Sequence, residues 1–388
     1  MNGPILASLA LTEEKLILHC QPARMEGAGA NKGEMIMTID QQKLNETVGR
    51  LLAGLAAGYG GVLVSVGHKL GLYKAMAGAG PLTSQELARR SGCAERYVRE
   101  WLNAQAAGGY VDYHPRSTTY ELTPEQAMIL ADETSPVCLQ HGWQIVASMW
   151  ADEPKTIAAF ESGRGVSWGE HDERLFCGVA AFFRNSYAAS LVSEWLPALD
   201  GVVDKLKSGA CVADVGCGHG HSTIMMAKAF PQSRFWGFDV HDGSISEARR
   251  MAEEAGVAAR VSFEVARADD YPLRNYDLIC FFDSLHDMGW PVDAVKHAAS
   301  AVAEGGTLML IEPFASDRVE ENFNPVGQLY YSASTTMCCA HAMSERGTHV
   351  LGAQAGPRQL GDVLRSAGFS NVRNAAKTPF NFVIEARP

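Results

Sequence analysis

The chain has 388 residues, 47% of them hydrophobic, and a formal net charge of -11. This allows two domains with a sizeable core. It argues against nucleic acid as a default partner, because displacing counterions from a duplex needs clustered Lys and Arg. The nine cysteines are scattered without a CxxC pair, several inside apolar runs, so a reducing, cytoplasmic setting is expected.

The opening stretch "GPILASLALTEEKLILHC" is broken by Glu13, Glu14 and Lys15 and lacks the charge pattern of a signal peptide. No stretch reads as the ~18 consecutive apolar residues of a membrane span. Residues 1–39 are expected to be a mobile extension, with Met35 or Met37 as alternative starts.

Residues 40–80 read as helical, with Leu44, Val48, Leu51, Leu52 and Leu55 on one apolar face. Gly54, Gly58, Gly60 and Gly61 are expected to break or kink the helix, or to admit a neighbouring backbone. From Pro81, Thr83 and Glu86 form an N-terminal capping box. "SGCAE" makes a turn, "ERYVREWLNAQAAGG" a second helix, and "YVDYH" with "TTYELT" a hairpin. Helix, turn, helix and hairpin make a winged helix. A DNA reader would place its second helix in the major groove. Between Thr83 and Glu125, however, Arg89, Arg90, Arg96, Arg99 and Arg116 face Glu86, Glu95, Glu100, Asp112, Glu121 and Glu125. A structural or dimerisation role is the expectation for this domain, residues 40–130.

Residues 131–205 read as a helical linker carrying Trp143, Phe183 and Tyr187 among other aromatics. Each could serve core packing; together they could wall a pocket. From residue 206 strands and helices alternate. Seven strand segments, "ACVADVG" to "FNFVIEARP", give a seven-stranded, doubly wound, Rossmann-like α/β sheet. The last two are joined without a helix, so one of them must run antiparallel.

"VADVGCGHG" is a strand that ends in a glycine turn opening a helix. Gly216 and Gly218 let a ligand approach the backbone. Alone, this motif suits a dinucleotide or S-adenosylmethionine (SAM). Asp214 precedes the glycines, where it can meet a ligand ammonium. Asp239 ends the next strand, where a carboxylate can accept from ribose hydroxyls. "ARADD" offers Asp269 or Asp270 to an adenine amino group. No Lys or Arg sits in the glycine turn to meet a pyrophosphate.

In order, "VADVGCGHG", "FDV", "ADD", "YDLICFFDSLHD" and "EGGTLMLIEPF" resemble the successive motifs of class I SAM-dependent methyltransferases. The resemblance covers residues 205–388, and the winged helix extends it to about residue 40. The whole is similar to the winged-helix-fused small-molecule methyltransferases of bacteria and, more distantly, to dimeric O-methyltransferases. It shares "DxxHD", and "YSxST" from Tyr331 to Thr335, with an actinobacterial subgroup.

The resemblance implies that Asp214, Gly216 and Gly218 cradle the methionine end of SAM. Asp239 and Val240 would hold the ribose, and Asp269 or Asp270 the adenine. Phe282 and Asp283 would line the cofactor side of the fourth strand's end. His286 would be the general base and Glu312 its orienting carboxylate. A homodimer and a small-molecule acceptor are implied as well.

The chemistry supports the base independently. A phenol of pKa ~10 is scarcely ionised at neutral pH, and a histidine of pKa ~6.5 can take its proton. Two rival readings remain: transfer to nitrogen, carbon or sulfur with His286 only positioning the acceptor, and a SAM-sensing regulator that binds DNA. "TTMCCAHAMS", with Cys338, Cys339 and His341, reads as part of a lid rather than a metal site. Tyr330, Tyr331, Met337 and His341 are expected to face the substrate. His219 and His221 read as turn and helix-start residues.

Overall fold

A computed structural model describes residues 39–388, with Pro379 excepted. The expected mobile extension and alternative starts, save Ile39, lie outside the described residues.

Helix α1 (Gln41–Lys69) opens on Asp40, whose side chain accepts from the Lys43 N–H. It runs 29 residues without the expected break. Three of its glycines, Gly54, Gly58 and Gly60, have no neighbour where a Cβ would stand. What comes close is a side chain rather than a backbone: a Cβ at Gly61 would lie 2.0 Å from the Trp143 ring, and one at Gly67 2.5 Å from that of Trp101. The helix thus runs unbroken despite the roughly 1 kcal/mol that each interior glycine costs relative to alanine.

Helix α2 (Leu72–Met76) leads into the winged helix: α3 (Ser84–Ser91), α4 (Glu95–Ala107), strands β1 (Asp112–His114) and β2 (Thr119–Glu121), then α5 (Pro124–Leu130). The Thr83–Glu86 capping box starts α3, and β1 pairs antiparallel with β2. Tyr73, Leu87, Val98, Trp101 and Leu102 form the core. On α4, Arg96 pairs with Glu100 and Arg99 with Glu95. The helix that would read DNA therefore neutralises its own cations.

Helices α6 (Gly142–Ala151), α7 (Glu153–Ser162) and α8 (Arg174–Ser190) bridge to the second domain, which starts with α9 (Val202–Ser208). The sheet contains β3 (Cys211–Val215), β4 (Arg234–Asp239), β5 (Val261–Val265), β6 (Tyr276–Phe282), β7 (Val302–Pro313), β8 (Asn371–Lys377) and β9 (Asn381–Arg387). Between them run α10 (His221–Ala229), α11 (Asp242–Glu254), α12 (Pro291–Ala301), α13 (Pro325–Ala333), α14 (Cys339–Ser344) and α15 (Pro357–Ser366).

The strand order is β5-β4-β3-β6-β7-β9-β8, and β9 runs antiparallel to both its neighbours. The antiparallel member of the closing pair is thus the last strand. Apolar clusters cover both sheet faces. The order reverses between β3 and β6, and such a reversal leaves a crevice at the carboxyl ends of the strands.

No membrane span was expected, yet α1 and the segment Arg174–Ala198 are long and apolar enough to cross one by length and composition alone. Leu, Val, Phe and Ala supply most of that apolarity. The segment Arg174–Ala198 lines an internal cavity through Phe183 and Tyr187.

Candidate active site

A cavity of about 1240 Å³ lies between the carboxyl ends of the sheet strands and helices α6, α7, α8 and α13. Its lining includes Gly216, Gly218, Asp239, Val240, Asp269, Phe282, Asp283 and His286, with Trp143, Phe183, Tyr187, Met337 and His341. Four sequence candidates are not part of the lining: Glu312, which stands behind His286, and Asp214, Asp270 and Tyr331. Asp214 is fully buried beneath the glycine turn, with its Oδ2 accepting from Ser222 at 2.6 Å and Thr223 at 2.5 Å. It therefore braces the start of α10 rather than facing the cavity. Asp270 is exposed and outside the lining. Tyr331 is also outside it; its neighbour Tyr330 faces in and donates to the Phe380 carbonyl at 3.0 Å.

The glycine turn is left-handed at Gly216 (φ +75°) and Gly218 (φ +52°). A Cβ at Gly216 would meet Ser284 at 2.6 Å, so two loops touch there. At Gly218 it would meet nothing, which leaves room for a ligand against the backbone. Asp239 Oδ2 accepts from the Gly218 N–H at 2.9 Å and Oδ1 from the His241 N–H at 2.8 Å. The carboxylate is thus fixed, while each oxygen can accept again. Asp269 forms a two-bond pair with Arg267. The donors and acceptors fit a nucleoside sulfonium: open backbone at the turn, a fixed carboxylate for vicinal hydroxyls, and no Lys or Arg in the glycine turn for phosphates. Asp214 Oδ1, buried without a partner, adds unspent acceptor capacity beneath the turn.

His286 sits on the turn after β6 and is buried. Nδ1 is bonded to Glu312 Oε2, and Glu312 Oε1 accepts from the Leu285 N–H at 3.0 Å. Nε2 lies 3.0 Å from Asp287 Oδ1 but off hydrogen-bond alignment, for that oxygen has no bonded partner. Burial opposes charge on the ring, yet the carboxylates of Asp287 and Glu312 outweigh it and hold the imidazole well above its ordinary pKa.

Cys338 joins this group. Donor atoms of His286, Asp287 and Cys338 lie within 4.8 Å of one another, whereas Cys339 and His341 are not among them. A charged imidazole has no lone pair for a metal, and burial first of all pushes the Cys338 thiol up to about 12. The set is a poor ligand sphere in this protonation state.

The segment 334–347 spans the cavity. His341 Nδ1 accepts from the Trp168 N–H at 3.2 Å, and Glu345 Oε2 from the Gly289 N–H at 2.8 Å.

Sequence reasoning passed over several lining or supporting residues. His219 and His221 line the cavity, and burial pushes His221 down to about 4. Phe176 stacks on His241 with centroids 4.4 Å apart. Asn381 Nδ2 donates to Asp283 Oδ1 at 2.7 Å. The last contact joins residues 98 positions apart, and no local pattern signals it.

Two family models match: the Rv2258c-like winged HTH domain at residues 58–132 and the methyltransferase domain at residues 206–368. Over 107 residues the chain is 33% identical to 27-O-demethylrifamycin SV methyltransferase of Amycolatopsis mediterranei, covering 27% of this chain and 39% of that protein. The chain thus matches less than half the length of such curated relatives. Human N-acetylserotonin methyltransferase, solved with SAM, superposes at TM-score 0.63 and 18% identity, covering 88% of this chain and 97% of its own. An O-methyltransferase family protein from Burkholderia thailandensis gives TM-score 0.63 at 17% identity, covering 90% and 98%. At such identities the likeness is one of fold. The chain thus carries a winged helix-turn-helix domain followed by a methyltransferase domain.

Proposed function

We propose that the protein transfers a methyl group from SAM to a small-molecule acceptor, on a hydroxyl, with His286 taking the proton. The carrying observation is one cavity lined by the glycine turn, Asp239 and His286, with Glu312 bonded to His286 from behind. Asp239 and Val240 would hold the ribose, Asp269 the adenine, and the open backbone at Gly218 the methionine end. Bound there, SAM supplies an electrophilic methyl group on a sulfonium. The aromatic walls from α6 and α8 exclude water and fix the acceptor, which supplies orientation.

The proton step belongs to His286. Glu312 holds Nδ1, so Nε2 is the atom that exchanges the proton. Its contact with Asp287 is unaligned, and an entering hydroxyl can take that place. The ring must first be neutral. Because its pKa is raised, activity is expected to climb with pH through a limb above 6.5. His286→Ala should keep S-adenosylhomocysteine (SAH) binding and lower kcat by ~10²–10⁴-fold. Unchanged kcat would remove the base role.

The charged state of the ring favours a second reading, in which His286 only positions the acceptor and the methyl goes to nitrogen, carbon or sulfur. A kcat profile without that acid limb would select it. A SAM-sensing DNA regulator is disfavoured by the ion pairs along α4 and predicts steeply salt-dependent binding to DNA.

A homodimer is part of the same reading. Leu51, Leu52, Leu55, Tyr59 and Val62 form an exposed stripe on α1, an apolar face that a second copy would cover. Leu52→Glu with Leu55→Glu should yield a monomer by light scattering. The eight described cysteines are free, and a cytoplasmic location belongs to the proposal.

A further inference from the structure

Charge is unevenly distributed around the cavity. Arg267 is the one Lys or Arg in the described lining, and Asp269 and Glu345 already engage it. Beyond β6, Asp283 and Asp287 face the cavity without a Lys or Arg. Glu312 stands behind them, 1% exposed. Three carboxyls thus stand against a single imidazole, which makes this end of the cavity acidic. An anionic acceptor would enter against that charge and a cationic one with it.

Asp283, expected on the cofactor side of β6, is a carboxylate in the cavity lining. Its backbone is left-handed (φ +49°), with the N–H donating to the Ile311 carbonyl at 2.8 Å. Its Oδ2 accepts from the Tyr187 hydroxyl at 2.7 Å, and its Oδ1 from Asn381 Nδ2 at 2.7 Å. Both donors are neutral, so they orient the carboxylate without neutralising it. Each oxygen keeps a lone pair. Aromatic rings stand beside it: Tyr187 lies 5.5 Å from Phe282 and stacks with Phe183 at 5.8 Å. A carboxylate bordered by aromatic faces is an ammonium site. Burial first of all pushes Asp283 up to about 7, so a cation paired with it would hold it ionised.

We propose that Asp283 anchors the acceptor, and that the acceptor is an apolar, ring-bearing molecule whose protonated amine pairs with this carboxylate. The proposal rests on the methyltransferase reading and adds the acceptor's chemical class. It is independent of which acceptor atom takes the methyl.

Calorimetric titration of the full chain tests it, with three matched probes (tyramine, p-cresol and 4-hydroxyphenylacetate) added to wild type and Asp283→Asn at saturating SAH. Tyramine should bind wild type at least about tenfold more tightly than p-cresol, a difference of ~1.4 kcal/mol, and 4-hydroxyphenylacetate more weakly than either. Asp283→Asn should erase the tyramine advantage and leave p-cresol within about twofold, and Tyr187→Phe should keep the ranking. Equal binding of tyramine and p-cresol, tighter binding of the acid, undetectable tyramine binding, or an advantage that survives in Asp283→Asn each overturns the proposal. The SAH titration doubles as a folding check on each variant. Should Asp283→Asn fail it, the wild-type ranking alone decides. Failure of wild type to bind SAH would count against the methyltransferase reading, while the charge ranking is still measurable.

Discussion

Glu312 on β7 holds the His286 turn at two points, taking the ring Nδ1 on one oxygen and the Leu285 backbone N–H at 3.0 Å on the other. Two bonds from one buried carboxylate fix both the position of the turn and the rotation of the ring. The same charge, with that of Asp287, keeps a proton on the imidazole against the cost of burial.

Glu312→Gln separates these effects. The amide can still hold the turn but no longer stabilises the imidazolium. With one of the raising charges gone, the His286 pKa falls, so the acid limb of the kcat–pH profile should move to lower pH. A drop in kcat of roughly ten- to a hundredfold is expected from the less well-held ring, with SAH affinity unchanged. A limb that stays in place would show that Glu312 does not govern the ring's charge.

Two glycines of the turn should respond differently. Gly216→Ala drives a Cβ to within 2.6 Å of Ser284 and should cost about 1–3 kcal/mol in denaturant unfolding. Gly218→Ala meets no protein atom and carries only the left-handed strain of roughly 1–2 kcal/mol. Its Cβ stands in the space left for the ligand, so SAH affinity should fall tenfold or more.

Asp214 gives a pH signature in stability. Burial is the largest influence on it and lifts its pKa to about 6, although Ser222 and Thr223 oppose the shift. A carboxyl raised in the folded state favours folding while protonated. As pH climbs from about 4 to about 6 the unfolded chain ionises first, so stability falls, by on the order of 1–3 kcal/mol. Asp214→Asn should flatten that decline when Tm is followed from pH 4.5 to 7.5; an unchanged slope would assign it to other groups.

Gly61 couples α1 to the cavity. Alanine at an interior helical glycine ordinarily gains about 1 kcal/mol. Gly60→Ala, with no neighbour, should show that gain. Gly61→Ala should instead push the Trp143 ring, which lines the cavity, and so raise the acceptor KM and shift tryptophan emission. Equal behaviour of the two variants would mean that α1 does not set that wall.

The sequence by itself determined the order of strands and helices, the winged helix with its Thr83 cap, the antiparallel close of the sheet, and the glycine turn. These are written in local periodicity, capping residues and connection length, which act over a few positions. Only the tertiary structure decided which side chains meet. Tyr330 rather than Tyr331 faces the cavity, because one residue along a helix turns a side chain by ~100° and packing sets the phase. Asp269 lines it and Asp270 does not. Of Cys338, Cys339 and His341 in the "CCAH" motif, Cys338 alone joins the His286 and Asp287 donor cluster. Asp214 went beneath the turn, since the hydroxyls of Ser222 and Thr223 on α10 draw it there. Asp283 gains its surroundings from Tyr187 and Asn381, 96 and 98 positions away. Such contacts follow from how the elements pack, and no short stretch of sequence encodes them.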